Sequence, residues 1–255
     1  MLFRVAAVSA TLPFMGELRE LIRAERLDLI ELLATLTPAQ WATPSLCGGW
    51  TVQDVAAHLA WAPVTPMTQT MTHLVKAGFR INKASAELTR SLSQRGTDEI
   101  LVQLRDNART GALPSGVPVA AGLVEALVHA IDIRRPLGLP TSISAEAFRS
   151  AAGTSVGVRW PLTLLVGGSA RKRIAGVRLV AEGYDWEHGE GPEVRASGEA
   201  VLRLLNGRAV ERSELTGPGA DLLASRLCLP ATAARDSRGR RTAGISRGWR
   251  LRSRP

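Results

Sequence analysis

The sequence predicts a mainly helical fold up to about residue 140, followed by a smaller α+β part. Through Arg135, apolar residues recur every three to four positions in successive segments, the spacing of amphipathic helices. After Thr141 short apolar runs of strand length appear between charged and glycine-rich stretches. The 255 residues are 45% hydrophobic and 22% charged, which excludes wholesale disorder and leaves room for one large or two modest domains. No run of eighteen apolar residues occurs to cross a membrane as a helix.

The first fourteen residues, MLFRVAAVSATLPF, place one cation before an apolar stretch broken by Ser9, Thr11 and Pro13. No small-residue cleavage site follows, so residues 1–15 are read as a disordered extension before an alternative start at Met15, and not as a signal peptide. A bundle is expected over 16–140. Its first helix carries Leu18, Leu21, Ile22, Leu29, Leu32 and Leu33 on one face and stops at Thr37-Pro38. A loop follows through Trp41, Pro44, Cys47 and Gly48-Gly49. Thr51-Val-Gln-Asp54 then reads as a capping box for a helix bearing Val55, His58 and Leu59. Helical periods continue over 67–78, 82–93, 97–110 and 120–135, the last stopped by Pro136, Gly138 and Pro140.

The α+β part is expected over 141–228. It holds a helix over 144–158, strands at Leu162–Val166, Val177–Ala181 and Val194–Ala196, a loop over 185–192, and short helices over 199–205 and 220–227. Residues 229–255 lack periodicity and read as a disordered tail.

The formal charge of +9 belongs mostly to that tail. From Leu229 onward there are eight Arg and one Asp, +7, which leaves +2 for residues 1–228. Nucleic-acid binding is therefore expected, if at all, only through the tail. Two cysteines, Cys47 and Cys228, are too few for a disulfide scaffold and fit a reducing cytoplasm. Lysine occurs only at 76, 83 and 172, an Arg bias that suits a GC-rich coding sequence.

Four histidines are present: His58, His73, His129 and His188. Glu125 and His129, four apart in LVEALVHAID, project from one helix face about a turn apart. A carboxylate on an apolar face needs a partner, and a metal ion is one such partner. His58, on an earlier helix, can supply a third ligand. Two His and one carboxylate form a zinc set that leaves a coordination position open, and other first-row metals accept it too. Asp132, one turn beyond His129, can orient an imidazole or pair with Arg135. The plainer alternative is a local Glu–His hydrogen bond and a structural core histidine. His73 and His188 read as surface residues, and Cys47 as a small buried loop residue in preference to a reactive thiol.

The stretch AQWATPSLCGGWTVQDVAAHLAW, residues 39–61, resembles the N-terminal signature of the mycothiol-dependent maleylpyruvate isomerase family of the DinB-like superfamily. EALVHAIDIRRPLG at 125–138 resembles its later helix. SGEAVLRLLNGR at 197–208 and LTGPGADLL at 215–223 resemble its small C-terminal domain, related to sterol-carrier-like folds. The resemblance covers about residues 17–227. It implies a DinB-like four-helix bundle holding a divalent metal on His58, Glu125 and His129. Zinc is the first choice, with nickel or another first-row metal as alternatives. It further implies mycothiol, the small thiol of actinobacteria, as co-substrate, and a cytoplasmic isomerase or S-transferase acting on a small electrophile. None of the three ligands is the nucleophile. The isomerase also directs a C-terminal arginine at its substrate, and Arg203 and Arg208 are the nearby substrate-binding candidates, with a solvated surface position as the alternative for each. A binding or regulatory protein with a non-catalytic metal is the competing reading. Oligomeric state does not follow from these residues.

Overall fold

The computed structural model describes residues 15–159, 163 and 168–227. The expected extension over 1–14, most of the strand read at Leu162–Val166, Cys228 and the Arg-rich tail lie outside them.

The described residues are mostly helical, with a small three-stranded sheet. Helices α1 (Met15–Thr35), α3 (Val52–Trp61), α6 (Thr97–Thr110) and α7 (Val119–Arg134) form the bundle. Each packs on two others, α1 on α6 and α7, and α3 on the same pair. The one-turn α2 (Pro38–Trp41) precedes α3, while α4 (Met67–Lys76) and α5 (Ile81–Ser93) lie beyond it, α5 against α3 and α4 against α5. The capping box at Thr51 and Asp54 is formed as the sequence predicts. A second one, Thr37 with Gln40, starts α2 inside a stretch read as loop. Its T-P-A-Q spacing is a capping signature without the apolar run that usually follows.

Beyond α7 come α8 (Ala145–Gly157), α9 (Ala170–Arg173), β1 (Arg178–Glu182), β2 (Glu187–His188), β3 (Glu193–Ser197), α10 (Gly198–Leu205) and α11 (Ala220–Leu227). Strand order is β2-β1-β3, with β2 antiparallel and β3 parallel to β1. The two-residue β2 falls within the segment read as a loop. It is held by backbone pairing of Leu179 with His188 and Val180 with Glu187, too short a run for alternation to show.

Helix α7 is buried on almost every side because it is shared by two apolar clusters. Leu123, Leu127 and Ile131 pack with Leu18 and Ile22 of α1, Phe148 of α8, Leu179, Val194 and Leu202. Ala130 and Ile133 pack instead with Leu29, Leu33, Val55 and Ile100. At about 25 cal/mol per Å² of apolar surface removed from water, this two-sided burial holds α7 firmly in place. Polar residues on such a helix are therefore held rigidly. Among the described residues, no helix is long and apolar enough to cross a membrane.

Candidate metal centre

Glu125 and His129 lie one turn apart on α7, and His58 faces them from α3. His58 Nε2 is 3.3 Å from Glu125 Oε1. The His58 and His129 rings meet edge to face, centroids 5.1 Å apart. One donor atom from each of the three lies within 4.8 Å of the others. A tetrahedral ion with bonds of about 2.0–2.1 Å separates its donors by roughly 3.4 Å, so the His58–Glu125 pair already has that spacing.

Asp132, fully buried, sits behind His129. Its Oδ2 is 2.9 Å from His129 Nδ1. Burial pushes the His129 pKa down against the opposing pull of Asp132, so the ring is neutral at pH 7. A neutral ring donating Nδ1–H to Asp132 must present its Nε2 lone pair elsewhere. Burial opposes ionisation of Glu125, but the hydrogen bond from His58 and the neighbouring charges outweigh it and hold its pKa below the usual value. Two nitrogen donors and one carboxylate, with one ring oriented from behind, match the donor chemistry of a divalent first-row cation.

Asp132 has two further partners. Arg208, from the loop after α10, grips it through Nη2 to Oδ2 at 2.7 Å and Nε to Oδ1 at 3.1 Å. The Cys47 thiol donates to Oδ2 at 3.1 Å and lies 3.8 Å from His129 Nδ1. These contacts hold the Asp132 carboxyl far below the ordinary carboxylate range in spite of its burial. Burial and the charge of Asp132 push the Cys47 thiol up to about 12, against the pull of Arg208. Cys47 is thus a protonated donor to Asp132 at neutral pH. Cys47, His129 and Asp132 form a second group whose donor atoms converge. Spacing did not link Cys47 to this place, because its partners lie more than eighty residues further along the chain. A turn brings it there: Trp50 N–H donates to the Cys47 carbonyl, with Gly49 at φ 79° in the third position, where a side chain would be strained.

The surface alternative fails for both arginine candidates. Arg203 is 3% exposed, and its guanidinium is bound to Glu214 and the Ala209 carbonyl. Arg208 is 18% exposed and committed to Asp132. The alternative pairing of Asp132 with Arg135 is also corrected. Arg135, just past the end of α7, pairs instead with Glu199 of α10 and with Glu214. His73 and His188 are half-buried and join no group of metal-capable side chains among the described residues.

Residues 22–134 match the family model of the mycothiol maleylpyruvate isomerase N-terminal domain. No curated protein matches the chain. Two solved structures resemble it, a mycothiol-dependent maleylpyruvate isomerase and its histidine-to-alanine mutant. Identities are 17% and 16% and TM-scores 0.47 and 0.48, each over 82% of this chain and 94% of the other. The matched segment contains His58, Glu125, His129, Asp132 and Cys47, so these residues lie in the part of the chain that is similar to that domain.

Proposed function

We propose that this protein is a metal-dependent, mycothiol-using isomerase or S-transferase of the cytoplasm that acts on a small electrophile, with maleylpyruvate the first substrate to try. The observation that carries the reading is the convergence of His58, Glu125 and His129, with Asp132 orienting the last. A divalent ion there, zinc before nickel or another first-row metal, supplies a Lewis acid that makes a thiol near pKa 8.5 available as thiolate at neutral pH. The chain contributes the fixed donor set. His129 is locked by Asp132, and Glu125 carries the negative charge that offsets one of the cation's two. His58, Glu125 and His129 would hold such an ion as three protein ligands, a number that would leave room for a thiol beside them. In the isomerase version the thiolate adds to an activated double bond: the S–C bond forms as the π bond becomes an enolate. Rotation about the resulting single bond follows, and expulsion of the thiolate restores the double bond. In the transferase version the enolate takes up a proton from water instead, and the sulfur stays on the electrophile.

Elemental analysis and a thermal-shift titration with mycothiol test the proposal together. One equivalent of metal is expected, lost in His129→Ala and retained in His73→Ala and His188→Ala. The native protein should melt higher as mycothiol rises, since a ligand of the folded state must stabilise it. Wild-type protein that takes up no metal, or metal-loaded protein that mycothiol does not stabilise, refutes the reading. Turnover of maleylpyruvate against other electrophiles then fixes the substrate.

A further inference from the structure

Arg208 belongs to the C-terminal part of the chain, yet its guanidinium is spent on a buried carboxylate of the bundle. The fork is complete: Nε and Nη2 hold the two oxygens of Asp132, while Nη1 donates to the Asn206 carbonyl at 2.8 Å. Asn206 is itself buried, and its amide donates to Ser155 Oγ of α8 and to the Leu202 carbonyl. A continuous set of hydrogen bonds thus runs from α8 through Asn206 and Arg208 to Asp132 and His129. The backbone delivering Arg208 is equally defined. Arg208 N–H closes on the Arg203 carbonyl and Gly207 N–H on the Leu204 carbonyl, with Gly207 left-handed at φ 74°. That is a Schellman ending of α10, which places the next side chain in one direction.

We propose that Arg208 is a positioning residue of the candidate metal centre, holding Asp132 in the orientation that fixes His129 as its Nδ1–H tautomer, so that the C-terminal part of the chain sets the metal affinity of a site whose ligands all lie in the bundle. The proposal rests on the metal reading above. Asp132 Oδ2 accepts from His129, Arg208 and Cys47 together. Without the fork the carboxylate keeps those two weaker donors and is free to turn about χ2. Lysine in place of Arg208 keeps a charge but cannot hold both oxygens in one plane. Arg208 therefore acts through Asp132, and its guanidinium is not free for a substrate carboxylate.

The test uses the full-length chain as wild type, Arg208→Ala, Arg208→Lys and Arg135→Ala. Arg135→Ala loosens the same junction, through Glu199 and Glu214, without touching Asp132. Zinc affinity is measured by competition with a chromophoric chelator, and the His129 tautomer by ¹⁵N NMR of histidine-labelled, metal-free protein. Loss of an outer partner of a histidine ligand weakens metal binding by roughly 10- to 100-fold. That loss is expected for Arg208→Ala, a smaller one for Arg208→Lys and none for Arg135→Ala. In metal-free wild type His129 should be a pure Nδ1–H form, and a mixture of tautomers in Arg208→Ala. Unchanged zinc affinity with an unchanged tautomer in Arg208→Ala overturns the proposal, and so does an equal loss in Arg135→Ala. If wild type binds no zinc, the metal reading falls, while the tautomer comparison still decides whether Arg208 positions His129.

Discussion

Two arginines five residues apart, Arg203 and Arg208, both fasten the C-terminal part of the chain to carboxylates, and they do different work. Arg203 is the more deeply buried, yet its partners, Glu214, Glu199 and the Ala209 carbonyl, all lie within its own part of the chain. Arg135 bridges from the end of α7 to the same two glutamates, so that cluster is a tie between two regions. Arg208 reaches a carboxylate whose other oxygen contacts are a histidine and a thiol. Burial alone thus does not mark a functional arginine. What its carboxylate touches next does.

Removing each carboxylate in turn separates the two arginines most strongly. Asp132→Ala strands the Arg208 charge in a largely buried place and should cost about 3–5 kcal/mol of unfolding free energy. Glu214→Ala should cost less, about 1–3 kcal/mol, because Glu199 remains 3.4 Å from Arg203 Nε. Urea titration checks both, and zinc competition separates them: only Asp132→Ala should weaken binding. If Glu214→Ala weakens it equally, the two clusters are one functional unit. A smaller perturbation is Gly207→Ala, which forces a left-handed alanine between the two arginines at about 1–2 kcal/mol. Its mark should be a modest loss of zinc affinity together with the lower stability. Stability loss with unchanged affinity would show that Arg208 finds Asp132 without the Schellman turn.

The smallest effect concerns a carboxylate lacking an arginine fork. Burial, with the charge of Asp28 and against that of Arg134, raises Glu25 to about 7. The folded state keeps this proton up to about pH 7, whereas the unfolded chain releases it near 4.5. Its contribution is therefore full at low pH and is lost as pH rises between those values. Glu25→Gln should be neutral near pH 4 and stabilising by about 1–2 kcal/mol near pH 8, less than the whole shift because the side chain is partly exposed. Melting temperatures at the two pH values measure it. An advantage independent of pH would mean that Glu25 is ionised throughout.

The pairing of Glu125 with His129 was legible because helix periodicity converts a four-residue spacing into a shared face. His58 was legible as the polar residue of another apolar helix, and Asp132 as the next turn of α7. Cys47 was not, since a glycine turn sets its approach and nothing in local spacing refers to α7. Local periodicity and side-chain chemistry were enough to read the long helices, the Thr51 capping box, the late change to strands and the three candidate ligands. Which carboxylate each arginine holds came only from the folded arrangement. Arg135, Arg203 and Arg208 are chemically alike in sequence. Their partners are chosen by the packing of α10 against α7 and α8, contacts between distant segments that no local pattern encodes.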